Sequence, residues 1–163
     1  MFLSMATFLV ISAGPTYADE AFGLRISLGE GWSLDDQSSE EGLTYMMFHK
    51  ARTQAVVIYG TSTELPASGN QSFALLDTMA AEIAGEDLYL GPLTPVFVAG
   101  VSGYERVIRS TAAADEQAVA RLIALDVGPR IFILAIGAEG SATFSPEDYK
   151  AIEEFLAGIS IRK

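Results

Sequence analysis

The sequence predicts a single domain of the α+β class, built mainly from antiparallel β-strands with two amphipathic helices packed on them. Short segments with alternating apolar and polar residues, or with many aromatic and β-branched residues, recur between turn residues. Two other segments repeat their apolar residues every three or four positions, as in a helix with one buried face. Of the 163 residues, 50% are apolar and 19% charged, which suits one domain with a hydrophobic core.

Residues 1–18 have the pattern of a signal peptide. An apolar run too short to span a bilayer is followed by Gly14-Pro15 and then by Thr16-Tyr17-Ala18, a small-residue cleavage site. We therefore expect cleavage after Ala18, a single domain over residues 19–163, and a periplasmic or secreted location. The run contains no Lys or Arg, so a buried first helix is the alternative.

The composition restricts the partners of the protein. It has 21 acidic and 10 basic residues, a formal net charge of −11, so its field repels phosphate backbones and anionic lipid. Nucleic acid is therefore not an expected partner, and no stable membrane insertion is expected after cleavage. The absence of cysteine excludes disulfides, thiolate metal sites and a lipid anchor on an N-terminal Cys. The oligomeric state is left open.

Several strands are predicted before the first helix. Leu24–Leu28 alternates apolar and polar residues, and a short strand is expected at Trp32–Leu34. Asp35–Gly42 is predicted to be a polar loop, and Leu43–Lys50 and Ala55–Thr61 a pair of strands. The last of these is apolar on both faces, so we expect it in the middle of a sheet that is covered on both sides.

The first helix is predicted over Gln71–Ala84, with Asn70 as its N-cap and Gly85 as the residue that ends it. Its apolar residues recur at spacings of three and four positions, which predicts one buried stripe along the helix. The stripe consists of Phe73, Leu76, Met79, Ala80 and Ile83.

The second helix is predicted to begin after Ser145. Serine is a good capping residue, Pro146 suits the first helical position, and the acidic residues Glu147 and Asp148 suit the first turn. A short end over Ile159–Ile161 follows this helix. The inner face is expected to consist of Tyr149, Ile152, Phe155 and Leu156.

Between the two helices, four strands are predicted to form an antiparallel meander. Gly128-Pro129 is the expected hairpin turn between the last two strands. The predicted strands are Val96–Val98, Gly103–Thr111, Ala118–Val127 and Arg130–Ile136.

Four sequence segments carry a family resemblance. The first segment of the domain is GLRISLGEGW (residues 23–32), and the meander begins with VSGYERVIR (101–109). A late central strand is RIFILAI (130–136), and the last segment is SPEDYKAIEEFLAGISI (145–161). Over residues 22–161 this order resembles the Mog1/PsbP-like superfamily and its bacterial exported members, although Gly29 stands where the family usually has Pro, two residues before Gly-Trp. The resemblance implies a central antiparallel β-sheet sandwiched by helices, an α/β/α sandwich. It also implies functions in binding or assembly that differ among relatives.

Catalytic motifs are not found in the sequence. His49 is the only histidine, and no serine stands on the exposed turn that a Ser-His-Asp nucleophile requires. There is no Gly-x-Ser-x-Gly motif, no phosphate-binding loop with a following Lys-Ser or Lys-Thr, and no dinucleotide fingerprint. With one His and no Cys, a zinc site would need mostly carboxylates. We therefore expect no catalytic, cofactor-binding or metal-binding residues and no cofactor. A hydrolase built on His49 is the least favoured alternative.

The acidic residues Asp35, Asp36, Glu40 and Glu41 form a candidate calcium group, because clustered carboxylates on a loop can bind Ca²⁺. The EF-hand spacing is absent, however, and a solvated hairpin tip explains the same residues. The solvated tip is the favoured interpretation.

A second candidate group consists of Tyr104, Arg106, Arg109 and Arg121, whose arginines could bind a carboxylate or a phosphate. Strand alternation places Tyr104 and Arg106 on one face and Arg109 on the other, so strand geometry alone does not bring the three arginines into one site. Cross-strand ion pairs are the favoured interpretation. Their expected acidic partners are Glu105, Asp115 and Asp126.

Three kinds of function follow from these observations. The favoured one is an exported, non-catalytic binding or assembly module whose partner is another protein of the cell envelope. The second is a carrier of a small ligand or lipid with a pocket between sheet and helix, and the third is the hydrolase. Aromatic residues at strand positions could line a pocket, but core positions are the more common role. These aromatic residues are Trp32, Phe48, Tyr59 and Phe132.

Overall fold

In the computed structural model, residues 14–61, 71–83, 88–110 and 117–162 are described, and they form eleven strands and two helices. Strands and helices follow one another in the order that the sequence predicts, with strands before, between and after the helices. The elements are β1 (Thr16–Asp19), β2 (Leu24–Ser27), β3 (Ser33–Glu40), β4 (Leu43–Lys50), β5 (Thr53–Gly60), α1 (Gln71–Ile83), β6 (Leu88–Leu90), β7 (Thr94–Val98), β8 (Val101–Ser110), β9 (Ala118–Leu125), β10 (Ile131–Glu139), α2 (Pro146–Ala157) and β11 (Ile159–Ile161).

Eight strands form the main sheet in the order β3-β4-β5-β10-β9-β8-β6, with β7 also paired to β8. All of these pairings are antiparallel. The predicted meander is confirmed, because β7, β8, β9 and β10 are successive neighbours in the sheet. The turn between β9 and β10 contains Gly128, whose φ of +72° is the left-handed conformation that glycine adopts without strain.

A second sheet has three antiparallel strands in the order β1-β2-β11. The Ser27 N–H donates a hydrogen bond to the Gly158 carbonyl at 2.9 Å, at the point where α2 ends and β11 begins. A Cβ atom on Gly158 would lie only 2.0 Å from the Ser27 carbonyl oxygen. Glycine therefore lets the chain leave α2 and pass close enough to pair with β2.

The predicted polar loop over Asp35–Gly42 is wrong. Residues Ser33–Glu40 form β3, an edge strand paired with β4, and only Glu41-Gly42 makes the turn. The short strand expected at Trp32–Leu34 is the beginning of this longer strand. A run of polar residues is typical of a loop when only the sequence is considered. In an edge strand, however, the side chains can stay in water while the backbone pairs with one neighbouring strand, so polar residues are tolerated there.

Two strands were not predicted, namely β1 and β6. β1 lies in the segment expected to be a leader, and the predicted cleavage site between Ala18 and Asp19 falls inside it. β6 has only three residues and pairs with the far end of β8. β1 (TYAD) and β6 (LYL) are short and do not alternate clearly between apolar and polar residues, so the sequence gives little indication of either strand.

Helix α1 is confirmed over Gln71–Ile83. Leu76 and Ala80 of the predicted stripe are fully buried, and Phe73 and Met79 are partly buried. The proposed cap Asn70, the end of the predicted helix at Ala84-Gly85 and the side chain of Ile83 lie outside the described residues.

Helix α2 begins as predicted. Ser145 is the N-cap, its side chain accepts from the Asp148 N–H, and the Asp148 carboxylate accepts from the Ser145 N–H, which completes a capping box. Ile152, Phe155 and Leu156 are buried as expected. Tyr149 is not, since it is 52% exposed and its ring contacts that of Phe144. The prediction that Tyr149 belongs to the inner face is wrong, because the buried stripe runs through Asp148, Ala151 and Ile152 instead.

The hydrophobic core consists of two clusters, and β5 contributes alternate residues to each. Ala55, Val57 and Tyr59 belong to the larger cluster, with residues of α2 and of the three-stranded sheet. Val56 and Ile58 pack in the smaller cluster with α1. Successive side chains of a strand point to opposite faces, so β5 has apolar contacts on both of its faces, as its sequence predicts.

Candidate functional site

The only histidine lies close to a serine and an aspartate. Asp35 Oδ1 is 2.5 Å from His49 Nδ1, and Ser33 Oγ is 3.2 Å from Nδ1 and 3.3 Å from Nε2. The hydroxyl is therefore not aligned with a single ring nitrogen, as a general base would require. The His49 and Asp35 side chains are 44% and 39% exposed. No sequence pattern indicates a role for Ser33, which lies beside His49 because the two residues are directly opposite in the pairing of β3 with β4.

Ser33, Asp35 and His49 line none of four cavities whose walls consist of described residues. The volumes of these cavities lie between about 230 and 320 Å³. A catalytic site needs a pocket that holds the substrate beside the nucleophile and donors for the developing oxyanion. The contacts of His49 thus resemble part of a catalytic triad, but they lie at an exposed sheet edge rather than in one of these cavities.

The candidate calcium group does not converge. Its residues lie along the edge strand β3 and in the following turn; Asp35 contacts His49, and Asp36 accepts a hydrogen bond from the Gln37 N–H at 2.8 Å. Within the described residues there is no group of three or more His, Cys, Asp or Glu side chains that could hold a metal ion. Glu40 and Glu41 are exposed to solvent at the tip of the hairpin.

The arginine group is divided between the two faces of the sheet, as alternation predicts. Arg106 contacts Asp77 of α1 at 2.9 Å, whereas Arg121 contacts Glu105 at 2.7 Å and Glu153 of α2 at 3.3 Å. The predicted pairing with Glu105 is confirmed. Arg109 and Tyr104 are exposed, Asp126 accepts a hydrogen bond from the Gly128 N–H, and Asp115 lies outside the described residues. The three arginines do not form one anion site.

The four candidate pocket aromatics are all buried, with exposures between 0 and 5%. Trp32 and Phe48 contact the ring of Phe155 at centroid distances of 4.8 and 5.3 Å. Tyr59 alone borders cavities, one of about 250 Å³ and one of about 280 Å³. The core interpretation therefore applies to Trp32, Phe48 and Phe132, and Tyr59 belongs both to the core and to a cavity wall.

Tyr59 and Asp19 lie between these two cavities and line both of them. Burial raises the pKa of the Tyr59 phenol, the negative charge of Asp19 raises it further, and a hydrogen bond with Thr44 opposes the shift. Asp19 also accepts a hydrogen bond from the Phe22 N–H at 2.9 Å. This arrangement ties the end of β1 to the main sheet.

Arg130 closes the same end of the molecule. Its guanidinium lies 4.7 Å from the ring centroid of Phe22 and donates to the carbonyl oxygens of Phe22, Val127 and Arg162. Because the Nε, Nη1 and Nη2 atoms of Arg130 all donate to backbone carbonyls of this chain, Arg130 links the turn after β1 to the end of β11. The guanidinium is therefore not free to bind an anion with two parallel hydrogen bonds.

An aromatic patch is exposed on the edge strand β7 and its neighbour β8. Phe97 is 73% exposed and Tyr104 41% exposed, and Pro95 lies directly opposite Tyr104 in the strand pairing. Val96 and Val98 alternate with these residues and pack toward the larger core cluster, so Pro95 and Phe97 point to the other face. We call Pro95, Phe97 and Tyr104 the Phe97 patch.

Comparison of the structure with known structures finds similar folds over nearly the whole chain. The solution structure of cyanobacterial PsbP (CyanoP) from Synechocystis sp. PCC 6803 matches with a TM-score of 0.55 and 11% identity, covering 98% of this chain and 99% of that one. The Saccharomyces cerevisiae Ran-binding protein Mog1p matches with a TM-score of 0.55 and 6% identity, covering 92% and 96%. The chain has a Mog1/PsbP-like fold.

A Bacteroides thetaiotaomicron structure shares this fold with a TM-score of 0.59 and 11% identity. The match covers 93% of the present chain but only 50% of the Bacteroides protein, so the chain corresponds to about half of that molecule. No protein-family model matches the sequence, and no curated protein matches it either. At these identities the likeness concerns the fold alone.

Within the Mog1/PsbP-like fold of this chain, the four cavities are lined by strand and turn residues, and none is lined by a residue of α1 or α2. Over the described residues, no helix is both long enough and apolar enough to cross a bilayer. Two surface features of the described residues could take part in recognition, namely the Phe97 patch and the cavity of about 250 Å³ that β1 lines.

Proposed function

We propose that the protein is an exported, non-catalytic binding or assembly module of the cell envelope that works by associating with another protein. The observation that carries this proposal is the Phe97 patch. A phenylalanine that is 73% exposed leaves most of its apolar surface in water, and burial of such a side chain is worth roughly 1.5–3 kcal/mol. Aromatic residues are also enriched where proteins bind one another.

The comparisons support the same kind of function. Mog1p is a Ran-binding protein, and it shares its fold with the present chain over 96% of its own length. The two sequences are only 6% identical, so the partner itself does not transfer. What transfers to the proposal is the use of this fold for protein binding.

The finer architecture belongs to the same proposal. We infer an α/β/α sandwich, supported by the presence of α2 residues in the larger core cluster and α1 residues in the smaller one. Export is supported by the signal-peptide pattern of residues 1–18.

The alternative functions have less support. A carrier of a drug-sized ligand needs a pocket of roughly 300–1,000 Å³ that encloses most of the ligand. Four cavities lined by described residues are open and measure about 230 to 320 Å³, so the largest of them only reaches the lower end of that range. A hydrolase would need a substrate pocket at His49, which lines none of these cavities.

Native mass spectrometry of the protein isolated gently from its own cell envelope tests the proposal. We expect a protein companion in stoichiometric complex with the wild-type chain. The Phe97→Ser variant should bind this companion at least about tenfold more weakly, as for an aromatic at the centre of an interface. Tyr149→Ser is the matched control, because Tyr149 is also exposed, at 52%, but lies on α2.

The outcomes separate the candidate functions. Loss of the companion with Phe97→Ser and retention with Tyr149→Ser supports the Phe97 patch as the binding surface. A small-molecule adduct on both variants would favour the carrier instead. Equal binding by wild type and Phe97→Ser would show that the patch is not the site.

A further inference from the structure

β1 is a short edge strand held in a groove of its own. Its four residues pair antiparallel with β2, with Tyr17 opposite Ile26. Tyr17 and Asp19 are partly buried, whereas Thr16 and Ala18 face solvent. The Tyr17 ring packs edge-on against Phe48 with a centroid distance of 5.6 Å, and Phe48 is fully buried. The groove therefore has a strand edge on one side and an aromatic socket in its floor.

The backbone N–H groups of β2 form hydrogen bonds alternately on its β1 side and on its β11 side. The Leu28 N–H donates to the Pro15 carbonyl at 3.0 Å on the β1 side, while the Ser27 N–H donates to Gly158 on the β11 side. Backbone groups alternate in direction along an antiparallel strand, so the amides of Leu24, Ile26 and Leu28 face β1. Those of Arg25 and Ser27 face β11.

Cleavage after Ala18 would remove most of β1 and leave this groove open. The edge of β2 would then present unpaired N–H and C=O groups, and Ile26 and Phe48 would lose the ring that covers them. A cavity of about 250 Å³ adjoins the same place and is lined also by Gln37, Met46 and Tyr59. An open edge beside apolar surface is a template for another strand.

We propose that in the processed protein the edge of β2 binds an extended segment of a partner protein. The segment adds an antiparallel strand in the position of β1 and places an aromatic side chain in the socket of Tyr17. This inference rests on the proposed export and deepens it by naming the chemistry of the partner. The leader, while attached, supplies its own strand and occupies the groove.

The structure itself indicates what the groove accepts. Residues 16–19 fill it with one inward aromatic and one inward carboxylate, alternating with two outward side chains. A partner segment needs the same alternation, with an aromatic residue opposite Ile26. Main-chain hydrogen bonds would provide affinity, and the aromatic socket would provide selectivity.

The test begins with the protein as the cell makes it. The full-length chain is expressed in a bacterium that exports it, and the intact mass of the purified protein gives its first residue. A peptide with the sequence of residues 14–18 is then added, and amide hydrogen exchange of β2 is followed by NMR. The control peptide carries Ala in place of Tyr17.

We expect the processed chain to begin at Asp19 and to bind the peptide. The amides of Ile26 and Leu28 should gain protection, whereas those of Arg25 and Ser27, already paired with β11, should change little. The Ala peptide should bind at least about tenfold more weakly. If the processed chain is only marginally folded alone, its thermal midpoint should rise with peptide concentration.

Other results would overturn the inference in distinguishable ways. A chain that begins at Asp19 but shows no binding, no protection and no thermal shift refutes the docking site and leaves export standing. A first residue before Thr16 shows that β1 stays in the domain, which also refutes the docking site alone. A chain that is neither exported nor cleaved contradicts the proposed function itself.

Discussion

Substitution of Asp148 by alanine tests how helix α2 is fastened to the main sheet. The Asp148 side chain is 3% exposed and accepts hydrogen bonds from Arg52 Nε at 3.0 Å, from Arg52 Nη2, and from the Ser145 N–H at 2.7 Å. Arg52 lies in the turn before β5, and Ser145 is the N-cap of α2. One carboxylate thus joins the turn before β5 to the start of α2.

The expected loss of stability can be worked from these contacts. Removal of one partner of a buried ion pair costs about 3–5 kcal/mol when the other charge stays buried. Arg52 is 39% exposed and can be hydrated in the variant, so we expect about 1–2 kcal/mol from the pair. Loss of the capping box adds about 1 kcal/mol. The total of about 2–3 kcal/mol corresponds to a fall in Tm of about 4–12 °C for a domain of this size.

The effect of Asp148 should depend on pH with a defined sign. Burial opposes ionisation of the carboxyl, but the hydrogen bonds from Arg52 and Ser145 and the charge of Arg52 outweigh burial and hold its pKa below the ordinary value of 3.8. A carboxyl with a lowered pKa stabilises the fold fully above its ordinary pKa, and this contribution is lost as the pH falls through the lowered value. The stability difference between wild type and Asp148→Ala should therefore shrink only in strong acid.

Thermal and urea unfolding at neutral pH and in steps down to about pH 2 measure this difference. Glu147→Ala is the matched control, because Glu147 is an exposed acid in the same turn of α2 and should cost no more than about 0.5 kcal/mol. A loss below about 1 kcal/mol for Asp148→Ala, or a difference that stays constant into strong acid, would refute the assigned role of Asp148.

Two further predictions concern the core and the β1 end of the molecule. Phe155→Ala should destabilise the protein by about 3–5 kcal/mol, because Phe155 is 1% exposed and packs on Trp32. Denaturant unfolding measures this loss. The control is Tyr149→Ala, on the exposed side of the same helix, which should change stability little. In the unprocessed chain, Asp19→Asn should lower the pKa of Tyr59, while burial keeps this pKa above the ordinary value of 10.0. An ultraviolet titration of the tyrosine phenols checks this. An unchanged titration would contradict the interaction between Asp19 and Tyr59.

Much of the fold could be predicted from the sequence because its patterns are strong. The apolar β5 segment, the meander from β7 to β10 and the cap at Ser145 each combine several signals that agree. β3 could not be predicted in this way, since its residues are polar and exposed and it is a strand only through pairing with β4. β1 could not be predicted as a strand, because it has only four residues and lies in a segment that also has the pattern of a signal peptide.

The candidate sites show the same limit. The alternation of side chains along β8 is sufficient to predict that Arg106 and Arg109 lie on opposite faces of the sheet. The structure shows that Arg106 contacts Asp77 of α1. No pattern indicated that Ser33 would lie beside His49, because the two residues are sixteen positions apart and meet through strand register. The Phe97 patch could not be predicted either, because an aromatic residue in a strand is normally a core residue and only the strand order shows that β7 is an edge strand.

The sequence by itself determined the α+β class, the two helices, the central apolar strand and the order of the meander, because each depends on residues close together in the chain. The tertiary structure decided which strands are edges, which aromatic side chains stay in water, and where β1 lies. These properties depend on strand order and register, which arise from contacts between distant segments. The groove under Tyr17 is such a property, since its floor comes from β4 and its edge from β2.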